Sequence, residues 1–98
     1  MDDPYATLRD QVLRSVLDGP AHTESSLRHA AAADGDVGAA LQPLVDKIHR
    51  HAYKVTDEDL SRLRPHYDED QLFEIVVSAA LGASRQRLVA GLRALEDA

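Results

Sequence analysis

The chain has no cysteine and no tryptophan, and only one phenylalanine, one methionine and three tyrosines. Without cysteine there are no disulfides, no thiolate metal sites and no thiol redox chemistry. Strand-favouring residues are thin throughout, which leaves little from which to build a sheet. The hydrophobic share, 44%, is mostly Ala, Leu and Val, side chains that suit closely packed helices. Positive charge is also short: 11 Lys and Arg against 17 Asp and Glu give a formal charge of −6. Nucleic acid and anionic membranes both call for clustered cations, so neither is expected as a partner. No apolar run approaches the length of a membrane span. The acidic start, MDDPYATLRD, lacks the apolar region of a signal peptide, and the expectation is a soluble cytoplasmic protein. Missing too are a glycine-rich phosphate loop, a nucleophile elbow and an H-E-x-x-H pair. The D-S-L serine of an acyl carrier is absent, since EDLSRL has the wrong order.

What is present is helical periodicity. The 98 residues are expected to form one compact all-α domain of about five helices, small enough to gain much from self-association. In residues 5–17, Leu8, Val12 and Val16 recur four apart, with Leu13 and Leu17 alongside. Asp2 or Asp3 is the expected cap, Pro4 suits the first turn, and Gly19–Pro20 ends the helix. A second helix is expected over 24–33, capped by Thr23, with Leu27 its only large apolar residue and alanines to pack through. A turn at Asp34–Asp36 follows. Val37, Leu41, Leu44, Val45, Ile48 and Ala52 then recur at helical spacing and mark a helix that starts near Ala40 or Leu41 and ends near Tyr53. Pro43 must fall in its first turn, because an interior proline costs about 3 kcal/mol.

Two acidic openings come next, VTDEDL and YDEDQL. In the first, Thr56 is the expected N-cap, Asp59 its N3 partner, and Val55 and Leu60 the flanking hydrophobic staple. In the second, the same roles fall to Asp68, Gln71, Tyr67 and Leu72. Pro65 is expected to close a short helix over 57–64. The last helix is apolar nearly all round through Ala83, as a central helix would be. Beyond Gly82 it turns amphipathic, with Leu88, Leu92 and Leu95 on one stripe. One long helix bent near Gly82 is the expected form.

The acidic runs do not fit a calcium loop. Counting from Asp57, the sixth position holds Arg62 where the sharp turn needs glycine, the twelfth holds Asp68 in place of a bidentate glutamate, and Pro65 occupies a ligand position. His49 and His51 lie about 200° apart on a helix and cannot share a metal. His22 and His29, seven apart, could share a face. His49 and Tyr53, at i and i+4, lie on one face and could line a pocket. No metal or cofactor is expected.

Glu74, inside LFEIVVSAALGA, is the most pointed residue, because an isolated carboxylate is costly to bury. Either it pairs with a cation such as Arg87 or with a histidine, or its face opens to a cavity or solvent. In a cavity, a raised pKa and proton-transfer chemistry would follow.

From Leu41 to Leu95 the chain resembles the AhpD-like, carboxymuconolactone-decarboxylase-like all-helical families. The similarity is carried by Val55, Thr56, Asp59, Leu60 and Leu63, then the acidic start at Asp68, Glu74 in an apolar helix, and the pair Arg87–Leu88. The resemblance implies an AhpD-like core over 40–97, preceded by a helical extension over 1–35, and assembly into homo-oligomers. Redox members of those families carry a C-x-x-C pair that this chain lacks, so their peroxidase or reductase activity does not transfer. The catalytic positions of the decarboxylase members have no match here.

Two functions are therefore expected in competition. One is a non-redox helical protein acting through homo-oligomerisation in a structural, accessory or binding role. The other is a cofactor-free enzyme of decarboxylase or isomerase type on a small organic acid or lactone. In it Glu74 would be general acid or base, with His49, Tyr53 and Arg87 orienting the ligand.

Overall fold

The computed structural model describes residues 5–97, and within them the fold is all-helical with no strand. Five α-helices follow in order: α1 (Ala6–Asp18), α2 (Ser25–Ala32), α3 (Gln42–His51), α4 (Asp57–Ser61) and α5 (Glu69–Asp97). α5 is the axis of the molecule, and α1, α2 and α3 all pack against it. Its 29 residues reach about 43 Å at the α-helical rise, close to the 47 Å long dimension of the whole chain.

The core lies on one side of that axis. Leu44, Val45 and Ile48 of α3, with Val37 and Leu41 just before it, meet Leu72, Ile75 and Ala79 of α5. Leu63 closes the cluster from the α4–α5 connection, and Ala31 of α2 joins it. α2 has few large side chains because it does not need them. Gly82 of α5 faces Ala32 so closely that a Cβ on Gly82 would lie 1.9 Å from the Ala32 carbonyl oxygen. The two helices meet backbone to backbone, and Ala31, Ala32, Ala79 and Ala83 are buried around that crossing.

Both acidic openings are helix starts. Thr56 accepts from the Asp59 amide at 3.4 Å, and Asp59 Oδ2 accepts from the Thr56 amide at 2.9 Å. The Gln71 amide donates to Asp68 Oδ1 at 2.8 Å, and the Asp68 amide donates back to Gln71 Oε1 at 3.0 Å. Each pair satisfies two amides that a helix start would otherwise leave bare. Pro43 occupies the first turn of α3, which begins at Gln42 and runs into a 3₁₀ turn over Ala52–Lys54. In the turn after α2, Asp34 is left-handed at φ 55, a conformation its short polar side chain tolerates.

Several expectations are corrected. Thr23 does not cap α2. The cap position is Glu24, which makes no side-chain cap bond, and the Thr23 hydroxyl is spent elsewhere. α4 ends at Ser61, short of Arg64, because residues 62–67 pass through turns that bring Leu63 into the core. The expectation of one long helix does hold, since α5 runs through Gly82 without a break. The expected caps Asp2 and Asp3, and Pro4, lie outside the described residues.

Candidate functional site: a carboxylate clamp and an uncovered helix face

The connection between α1 and α2 is held by two opposite charges. Gly19 and Pro20 end α1, and the chain then crosses α5 at Glu74. Glu74 Oε1 accepts from the amides of His22 at 3.0 Å and Thr23 at 2.8 Å, and from the Thr23 hydroxyl at 2.7 Å. Oε2 accepts from the His22 amide at 2.9 Å. From the other side Arg28, only 2% exposed, takes the loop's carbonyls. Its Nε donates to Leu17 at 3.0 Å, Nη2 to Gly19 at 2.8 Å and Nη1 to Thr23 at 3.1 Å. The guanidinium and the carboxylate lie 3.9 Å apart. Amides go to the anion and carbonyls to the cation, so the clamp pairs the His22 and Thr23 amides and the Leu17, Gly19 and Thr23 carbonyls outside any regular ladder.

Burial pushes the Glu74 carboxyl up, but the bonds from the Thr23 hydroxyl and the His22 and Thr23 amides together hold it below its ordinary value. Ionised and surrounded by donors, Glu74 is an anchor for the loop. Nearby, His29 Nε2 sits 2.5 Å from Asp18 Oδ1, and that bond lowers the Asp18 carboxyl. His22 lies 3.7 Å from Asp70 on the surface, so His22 and His29 serve different partners.

The other expected site residues are placed apart from this clamp. His49 Nε2 donates to the Ala31 carbonyl at 2.7 Å. Arg87 Nη2 donates to the His49 main-chain carbonyl at 2.6 Å, so Arg87 and His49 do meet, through backbone. The arginine beside Glu74 is Arg28 and not the expected Arg87. Tyr53 is 81% exposed and stacks edge-on against His51. Arg28 has one signal in the sequence, as the only arginine within the small-residue run of α2. Its partners come from three other segments, which spacing could not supply.

A further carboxylate pair sits at the α2–α3 turn, where Asp34 lies 3.3 Å from Arg50. Burial, then the neighbouring Asp46, push the Asp34 carboxyl up, while a bond from Gln42 and that same contact with Asp34 hold Asp46 down. Among the described residues no group of three or more His, Asp or Glu side chains is arranged to hold a metal.

The second notable feature is apolar. On the side of α5 opposite the core, Phe73 is 69% exposed, Leu95 59%, and Leu88 is exposed as well. Alongside them a groove of about 310 Å³ runs between α1 and α5, lined by Leu8, Val12 and Leu13 and by Leu81, Ser84 and Leu88. Its charged neighbour Arg85 is paired with Asp10 at 3.4 Å. No helix of the described residues is long and apolar enough to cross a membrane.

Fold and site together define a small all-helical protein built around one long axial helix, with a loop clamped to its flank and an apolar face left uncovered. Comparison of the chain with protein-family models, with curated proteins and with solved structures finds no significant match.

Proposed function

We propose that the protein is a non-redox homo-oligomeric helical module, acting in a structural, accessory or binding role through the uncovered face of α5 and the adjoining α1 groove. The observation that carries this reading is the exposure of Phe73, Leu88 and Leu95 on one face of α5, with half-buried Val77 and Leu81 between them. Single exposed leucines are ordinary; a contiguous apolar face with a groove beside it marks a contact surface. A domain of this size also buries too little surface by itself to be more than marginally stable, and a partner copy would add to it. In this reading the resemblance to AhpD-like proteins extends to helical assembly and not to chemistry.

The competing enzyme reading draws less support. A general acid or base must trade a proton with a ligand, and Glu74 would first have to release the His22 and Thr23 donors that keep it ionised.

The test is the mass in solution. Light scattering at micromolar concentration should give a particle larger than the 10.7 kDa chain. Phe73→Asp and Leu88→Asp, both on the surface, should return it to the monomer mass with the helical circular dichroism retained. A wild-type chain that stays monomeric across the micromolar range would overturn the proposal.

A further inference from the structure

The outward face of α5 has a repeat of its own. Phe73, Ser84 and Leu95 lie eleven residues apart; so do Val77 and Leu88, and so do Ala80 and Gly91. An 11-residue repeat has about 3.67 residues per turn, so the stripe keeps to one side of a nearly straight helix. All of these positions are exposed or half-buried, and none is charged.

The stripe is also symmetric about Ser84. Reversing the helix about that residue sets Phe73 against Leu95, Val77 against Gly91, and Ala80 against Leu88. At each inner position a large side chain meets a small one, which lets two helices approach closely. The glycine at 91 has no explanation within one chain. A Cβ there would meet nothing within 4 Å, whereas glycine in a helix interior costs about 1 kcal/mol relative to alanine. Gly82 is the contrast, since its own chain fills the space beside it.

We infer that two copies pair through α5 in antiparallel orientation, on a two-fold axis that passes beside Ser84. The pairing rests on the self-assembly proposed above and specifies the partner surface and its register. The extent of the face is adequate. A strip about 43 Å by 10 Å along α5, with about 20 Å of α1 beside it, covers on the order of 600 Å² per copy. Two such surfaces bury about 1,200 Å², the lower edge of stable interfaces. An axis of this kind keeps both α1 helices on the same side of the α5 pair, so the exposed Leu8 and Val12 of both copies border one edge. A second copy suits the face better than an unrelated helix, because the large-to-small matching is between the stripe and its own reversal.

A chain without cysteine makes the test direct. Ser84→Cys should form a disulfide-linked dimer under mild oxidation, at least about tenfold faster than Lys54→Cys, because held thiols react at a high effective concentration. A mixture of Val77→Cys and Gly91→Cys proteins should cross-link to each other in preference to themselves. A monomer mass for the wild type would overturn both the pairing and the self-assembly reading. An oligomer in which Ser84→Cys cross-links no faster than Lys54→Cys, or Val77→Cys links chiefly to itself, would overturn the antiparallel register and leave self-assembly standing.

Discussion

Gly82→Ala is expected to destabilise the protein by about 3 kcal/mol, a large effect for the addition of one methyl group. The new Cβ would fall 1.9 Å from the Ala32 carbonyl oxygen and 2.5 Å from the Ala32 Cα. Those are backbone atoms, so no side chain can swing aside, and α2 must move away from α5 as a body. Helix propensity alone would favour the substitution by nearly 1 kcal/mol, so the packing cost has to exceed that gain before a loss is seen. Denaturant unfolding followed by circular dichroism gives the difference. Gly91→Ala is the matched control, since its Cβ meets open space within the chain. In conditions where the chain is monomeric it should be neutral or stabilising. Equal stability of the Gly82→Ala protein and the wild type would show that α2 is not seated on α5 as described.

Glu74→Ala is the second large effect, with an expected loss of about 3 kcal/mol. The substitution removes the acceptor of two loop amides and a hydroxyl, and it leaves the buried Arg28 without its counter-charge. Removing one partner of a buried pair is costly because the other charge stays behind. Arg28→Met combined with Glu74→Ala should therefore cost less than the sum of the single changes, which a double-mutant cycle measures. The clamp also has an acid limit. The folded carboxyl lies below its unfolded value, so its stabilisation is complete above that unfolded value, about 4.5, and is lost as the pH falls through the depressed folded value. A Glu74→Gln protein should be less stable than the wild type near neutral pH, and the gap should close on the acid side. A gap that stayed constant down to pH 3 would show that the charge of Glu74 does not hold the loop.

The two predictions separate what was legible in the sequence from what was not. Local signals carry over into the structure. The capping pairs Thr56–Asp59 and Asp68–Gln71, the proline in the first turn of α3 and the Gly19–Pro20 break all stand in the structure. Each depends on residues within four positions of one another, where backbone geometry leaves few choices. Where a local rule met a distant partner, it failed. Thr23 has the chemistry of an N-cap, but its hydroxyl donates to Glu74, 51 residues away. The short helix after Thr56 loses its last turn because Leu63 is drawn into the core.

Glu74 itself stood out because a lone carboxylate in an apolar run demands a partner. The sequence could not say which partner, since Arg28 and Arg87 are equally available cations until the chain is folded. The sequence by itself determined that this chain is helical, where most of its helices begin, and that Glu74 must be answered by something. Only the tertiary structure decided which side of α5 is covered. Through Ala83 that helix is apolar nearly all round, so periodicity points in no single direction. The choice fell to Gly82 and the alanines beside it, which let α2 come close on one side and leave the Phe73–Leu95 side open.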